Sequence, residues 1–395
     1  MDTIANLNKA LNILSKYESF GVKYNLANIK KLLWLLNSPH LHFKTIHVVG
    51  SKGKGTTATL IAHSLSKHYR VGLYTSPHIT GIHERFCIDG KFASFKEILQ
   101  IFEEVEKAAN KMTPNFPSFF EFVTASVFKF FSLNNVEVAV IEAGLGGRLD
   151  ATNVTEPEIV VITSVELEHT SILGNTVEEI MFEKASVIPF GGVVVTTKAN
   201  AANPSLLKLV HERSAKLIIA KEPEKNLSSD YIDHKIINLP LVEEVCNIMN
   251  CTPSLNVEIP ARLQKINNSI IDCSHTPNSI AVFFKYLEKN LIPEALVISL
   301  LRDKNISNIL KQISVFLTSH PQVKLWVTSS NHPRAISSNK LQNLIKAEFS
   351  IEANCVELDD IIKAVKNNKK IAVTGSIYTA SEIIKGCYGF LKKLW

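Results

Sequence analysis

Cysteine is sparse and scattered in this chain of 395 residues. Cys87, Cys246, Cys251, Cys273, Cys355 and Cys387 form no C-x-x-C pair, which argues against a zinc framework or a disulfide-stapled scaffold. Nor does any apolar run approach the roughly 18 residues of a membrane span. The opening MDTIANLNKALNILSKY is polar and helix-like and lacks the apolar core of a secretory leader. No repeat or low-complexity tract appears. Charge of one sign is not concentrated either. The formal net charge of +6 is spread along the chain, whereas nucleic-acid binding usually shows a clustered patch; a mild excess suits solubility or an anionic substrate. These absences lead to the expectation of a reduced, cytoplasmic globular protein with no nucleic-acid or membrane partner. A composition of 46% hydrophobic and 20% charged residues agrees with that, and the length suits two or three domains.

What is present is alternation. Short apolar runs, TIHVVG, VGLYTS, VEVAVIEAG, IVVITSV, GGVVVTT and KLIIA, read as strands. Between them lie helical patterns such as TTATLIAHSLSKHY and FEFVTASVFKFFSL. Apolar strands bounded by glycine and asparagine and separated by helices predict an α/β fold with a mostly parallel sheet covered on both faces. From Leu227 to Glu258 the pattern weakens and turns polar, so a domain boundary is placed near Glu258. Alternation restarts with SIIDCSH, EALVISLL, VKLWVTSS and KIAVTGS, which gives domains of 1–258 and 259–395, the second a smaller α/β unit.

The stretch VVGSKGKGTTATLIAHSL is the sharpest local feature. It resembles a phosphate loop, G-x-x-x-x-G-K-[ST], with one glycine inserted: Gly50, Ser51, Gly53 and Lys54 are followed by Gly55, and only then by Thr56 and Thr57. An apolar run ends in a glycine turn and enters a helix, so backbone amides and the helix amino terminus can hold phosphates while Lys54 neutralises them. The alternative is a plain glycine-rich turn with a solvated lysine. Because the insertion displaces the hydroxyl, a divalent cation held by Thr56 and phosphate oxygens would lack ligands, since magnesium demands a near-octahedral oxygen shell. Further ligands are expected at the carboxyl ends of neighbouring strands. Three such ends carry polar groups: Ser76 and His78, Glu142, and Glu168 with His169.

Together, HVVGSKGKGTT, YTSPHITGIHERFCIDG, IEAGLGGRLDATN, LEHTSILGNTVEEIMFEKA and PARLQ…IDCSHTPNS resemble the folylpolyglutamate synthase/dihydrofolate synthase family of the Mur ligase superfamily. The resemblance is dense from about Gly21 to Pro189 and thins after Arg262 to the islands RDKN, HPRAIS and VTGSIYTASEI. It implies a P-loop ATPase domain followed by a Rossmann-like domain. The implied activity is an ATP-dependent ligase that joins L-glutamate to dihydropteroate or tetrahydrofolate through an acyl phosphate, with ATP and Mg2+ and as a monomer. By the same resemblance Lys54 and the loop amides cradle ATP, and Ser76, Glu142 and His169 fall on magnesium positions beside Thr56. Lys184 falls on a lysine that the family carbamylates, a solvated surface lysine being the alternative. Arg262, Asp272 and His275 reach the nucleotide from the second domain, although ordinary interdomain pairing stays open for Asp272 and His275. Arg85 and Asp150 border the pterin.

Three departures stand out. Lys52 replaces an asparagine in the loop, Thr276 replaces an asparagine after His275, and the family's G-x-H-Q-x-x-N element for adenine is not apparent, NLPLVEEVCNIMN occupying its expected place. Two rivals therefore stay in view: a relative that binds nucleotide or folate with little turnover, and a ligase for another acid and amino acid.

Overall fold

The computed structural model describes residues 2–21, 25–222 and 234–395. Among these, β1 (Lys44–Val49), β2 (Val71–Tyr74), β3 (Cys87–Ile88), β4 (Lys91–Phe92), β5 (Val138–Glu142), β6 (Ile159–Ile162), β7 (Val193–Thr196) and β8 (Lys216–Ile219) form one sheet in the order β4-β3-β2-β5-β1-β6-β7-β8. From β2 to β8 all pairings are parallel, and the short β3 and β4 add an antiparallel edge. A second sheet takes β9 (Gln264–Ile266), β10 (Ser269–Ile271), β11 (Ala295–Ile298), β12 (Lys324–Val327), β13 (Asn354–Cys355) and β14 (Ile371–Thr374) in the order β13-β12-β11-β14-β10-β9. Only β9 is antiparallel there.

The central strands are apolar throughout because both faces are covered. In β5, Val138 and Val140 join the cluster under helix Lys54–Leu65, whereas Ala139 and Ile141 face the aromatic cluster of Tyr17, Phe102, Phe122 and Phe128. Helix starts follow local chemistry. Ser94 with Glu97, Ser118 with Glu121 and Thr176 with Glu179 form capping boxes, each satisfying free backbone amides at a helix entry.

All ten runs read as strands in the sequence are strands, and a mixed α/β architecture with two largely parallel sheets is what the chain adopts. Unread in the sequence were β3, β4, β9 and β13, which at two or three residues carry no periodicity. Of the weakly patterned stretch, Leu227–Asp233 lies outside the described residues, but His234–Ile248 is a helix that holds Pro240. Its Leu241, Val242 and Val245 pack with Leu60, Ile61 and Leu65 of the phosphate-loop helix. At the other end of the chain a tail crosses back to the first sheet. Phe92 N donates to Lys392 O (3.0 Å) and Leu394 N to Gly90 O (2.7 Å).

One buried group in β1 is polar. His47 has no exposure, and burial lowers its pKa from 6.5 to about 4. Between those values the unfolded chain takes up a proton that the folded chain refuses, so acid weakens folding in that window. We expect a His47→Gln variant to lose about 3 kcal/mol less unfolding free energy than the parent between pH 7 and pH 4. Urea denaturation at the two pH values measures this; equal losses would show that His47 is not held neutral.

Candidate functional site

The turn after β1 is pressed against β6. Gly50 has a φ of 146°, and a Cβ there would lie 1.8 Å from Thr163 Oγ1, so no side chain fits. Gly53 (φ 83°) starts the Lys54–Leu65 helix without a side-chain cap. The first intrahelical bond runs from Thr57 N to Gly53 O at 2.9 Å. The amides of Lys54, Gly55 and Thr56 therefore have no partner within the helix, at its positive end, an arrangement suited to a phosphate. Lys54 Nζ folds over the turn and donates to Gly50 O (2.9 Å) and Ser51 O (3.4 Å). Thr56 and Thr57 are buried, and the Thr57 hydroxyl lacks a hydrogen-bond partner among the described residues.

The inserted Gly55 meets the tip of β5. A Cβ on it would sit 3.2 Å from Glu142 Oε2, the same oxygen that accepts Ser76 N at 2.9 Å. Glu142 is buried, and burial raises its pKa although Lys54, the Ser76 amide, Arg262 and Arg85 pull the other way. Two of the expected metal positions, Ser76 and Glu142, are thus together. His169 is exposed and in the left-handed region (φ 45°) at the start of the short Thr170–Leu173 helix. Among the described residues no hydrogen bond or ion pair joins its side chain to the other two.

Lys184 is buried, its side chain 1% exposed, so it is not a solvated surface lysine. Its Nζ donates to Gly50 O at 2.8 Å and to Glu168 Oε1 at 2.7 Å. Burial holds the ammonium below the usual lysine range against the pull of Glu168. Burial also works to raise Glu168, but Lys184 beside it prevails and keeps that carboxyl low. Lys184 thereby links the phosphate turn to the residue preceding His169. Lys52 is not a spare cation beside the phosphate position. It pairs with Glu166 Oε2 at 2.6 Å, while Ser51 Oγ accepts Glu166 N at 3.0 Å.

The second sheet sends one turn to this region. Asp272 is fully buried, and its oxygens accept the amides of Leu263 (3.0 Å) and Ser274 (2.8 Å), which shapes the turn carrying Arg262 and His275. Arg262 donates to Cys273 Sγ (2.7 Å) and lies near enough to Glu142 for each charge to act on the other. His275 Nδ1 donates to Cys273 O (2.9 Å), since a carbonyl only accepts. Burial lowers the His275 pKa, with Lys304 and Arg262 adding to it. Thr276 caps the helix that follows through Ser279.

A cavity of about 560 Å³ lies alongside, lined among others by Ser76, Arg85, Ser118, Phe120, Glu121 and Asp150. Arg85 is buried beside the rings of Phe119 and Phe120, and its Nη1 has no partner among the described residues. Glu121 Oε2 accepts Ser118 N and Oγ, both at 2.8 Å, whereas Oε1 is buried and unpartnered. Both atoms belong to residues that line the cavity, and each costs free energy while unsatisfied. Sequence reasoning missed Ser118, Phe120 and Glu121, since S-x-x-E before an apolar run reads as an ordinary helix start. A second cavity, of about 440 Å³ at the amino ends of β11, β12 and β14, holds none of the expected residues.

The Mur ligase middle domain model matches residues 48–270. The chain belongs to the Mur ligase family. It is similar to the dihydrofolate synthase/folylpolyglutamate synthase of Bacillus subtilis, 26% identical over 93% of this chain and 95% of that protein. It is also similar to the folylpolyglutamate synthase of Lacticaseibacillus casei, at 28% identity over 90% and 92%. Among solved structures, folylpolyglutamate synthase from Thermotoga maritima superposes with a TM-score of 0.81 and 28% identity, covering 95% of this chain and 96% of that one.

Within this Mur ligase chain the donor set suits a hard cation. Glu142 is a buried carboxylate raised by burial despite its cationic neighbours, and a carboxylate oxygen is the chemistry that magnesium takes. Among the described residues no three His, Cys, Asp or Glu side chains form a metal cluster of their own. Asn238, in the stretch NLPLVEEVCNIMN, lies against Gly53, where a Cβ would sit 2.8 Å from its Oδ1. Replacing Gly50 with alanine is expected to abolish nucleotide binding by isothermal titration calorimetry while the circular dichroism spectrum stays that of the parent. Retained affinity would mean that the turn has room to move away from Thr163.

Proposed function

We propose that the chain is an ATP-dependent ligase that joins L-glutamate to the carboxylate of dihydropteroate, tetrahydrofolate or both. One observation carries this reading. Ser76 lines the cavity, and its amide binds the Glu142 carboxylate that lies against Gly55 of the phosphate turn. A substrate in the cavity would therefore present its acid beside the terminal phosphate of ATP. On this reading residues 1–258 form the ATPase domain and 259–395 the Rossmann-like domain. The protein acts in the cytoplasm as a monomer on small molecules, with no nucleic-acid partner.

Two anions must meet at this site. Lys54 and the amides of Lys54, Gly55 and Thr56 neutralise the triphosphate from below, and Arg262 and His275 approach from the second sheet. Arg85 and Asp150 hold the pterin-bearing substrate. Thr56, Ser76, Glu142, His169 and a carbamylated Lys184 would hold Mg2+, which supplies when bound the positive charge that lets carboxylate and triphosphate approach. The carboxylate oxygen takes the terminal phosphoryl group and ADP leaves; the glutamate amine then attacks the acyl phosphate and releases phosphate. No nucleophilic side chain is needed.

Purified protein should release ADP only when a pterin acid and L-glutamate are both supplied, and Lys54→Ala should lower turnover by at least about a thousandfold. Mass spectrometry of products from dihydropteroate and tetrahydrofolate, run in parallel, separates one activity from both. ATP binding without glutamate on any pterin would favour a binding protein. For Lys184, 13C-labelled bicarbonate should produce a carbamate NMR signal that is absent from Lys184→Met. Failure to see it in the parent would leave Lys184 as the free ammonium paired with Glu168.

A further inference from the structure

Strand β1 places an imidazole among apolar neighbours. His47 pairs in register with Ile141 of β5 and Val160 of β6 and is fully buried. It does not line the cavity at all. Its Nε2 lies 2.8 Å from Thr152 Oγ1, and Thr152 Oγ1 lies 2.5 Å from Asp150 Oδ1. Asp150 does line the cavity.

The direction of these bonds follows from valence. An ionised carboxylate only accepts, so the single proton of the Thr152 hydroxyl goes to Asp150. The hydroxyl oxygen must then accept from His47, which places the imidazole proton on Nε2. His47 Nδ1 is left buried and without a partner among the described residues. The remaining anchors of Asp150 are local: Leu145 N on Oδ2 at 2.8 Å, Thr152 N on Oδ1 at 3.0 Å, and the Gly144 amide. Among the described residues the relay from His47 is the hydrogen-bonded path to Asp150 that comes from far along the chain, joining positions more than a hundred residues apart.

An unpartnered buried nitrogen costs stability, and a leucine would pack in β1 without that cost. We propose that His47 is a positioning residue for Asp150: by donating to Thr152 it fixes the direction of the threonine hydroxyl, and so the orientation of the carboxylate that lines the cavity. The inference rests on the reading of the cavity as the pterin site. It assigns His47 no contact with substrate and no part in phosphoryl transfer.

The test is steady-state kinetics with separate KM values for the pterin acid, ATP and L-glutamate. His47→Leu should raise the KM of the pterin acid about tenfold, the scale of one lost hydrogen bond. The KM values of ATP and L-glutamate should stay within about twofold, because only the carboxylate in the cavity is disturbed. His47→Gln, whose amide can donate from near the place of Nε2, should recover most of the loss. Since His47 acts only through Thr152, the double variant His47→Leu/Thr152→Val should be no worse than Thr152→Val alone. Equal rises for all three substrates, or a glutamine no better than leucine, would overturn the proposal. Should His47→Leu fail to fold, Thr152→Val cuts the same link with nearly unchanged shape and carries the comparison. Asp150→Asn separates the two readings: if it leaves the pterin KM unaltered the cavity assignment fails, and if it raises that KM while His47→Leu does not, only the relay fails.

Discussion

The site depends on backbone packed against neighbouring strand tips, at distances that leave Gly50 no room for a side chain and Gly55 little. Gly50 lies against Thr163 and Gly55 against Glu142, so the turn after β1 is wedged between β6 and β5. Glu142 gains by this a position next to the free amides of the helix amino terminus, and Ser76 reaches the same carboxylate from β2. A buried anion in such a place is expensive unless positive charge attends it. Lys54, Arg262 and Arg85 supply part of that charge, and the raised pKa of Glu142 shows that they do not supply all of it. The same shortage makes the place suitable for a divalent cation.

A second balance, of opposite sign, sits one strand away. Lys184 is an ammonium in a dry environment, held by Glu168 and the Gly50 carbonyl. Burial weakens its hold on a proton, and a lysine more easily deprotonated is also one more easily carbamylated. Changing that charge would alter the phosphate turn and the His169 segment together, because Lys184 bonds to both Gly50 and Glu168.

The second sheet converges on the same region from pieces far apart in the chain. Asp303 of RDKN pairs with Arg334 of HPRAIS at 3.0 Å. Gly375 of VTGSIYTASEI donates to Ser274 O at 2.7 Å, and Tyr378 stacks on His332 with ring centroids 3.9 Å apart. The three islands of resemblance thus follow the carboxyl ends of β11, β12 and β14, and Gly375 joins them to the turn of His275 after β10. The tail that returns to Gly90 and Phe92 ties this sheet to the segment carrying Arg85.

By itself the sequence determined ten of the strands, their mostly parallel arrangement, the glycine turn after β1 and the polar strand ends. Each of these is written locally, as a run of apolar residues, a glycine spacing or one side chain after a strand. It could not show β3, β4, β9 and β13, which are too short for a period to register, or the helix from His234, whose proline hid it. The partner of Lys52, the burial of Lys184 and the unmet groups of Arg85 and Glu121 were decided only by the tertiary structure. Glu168 lies 16 residues from Lys184, Glu166 lies 114 from Lys52, and Thr152 lies 105 from His47. Over such separations no periodicity links two side chains, and whether a charge is solvated or buried depends on which strand the folded sheet places beside it.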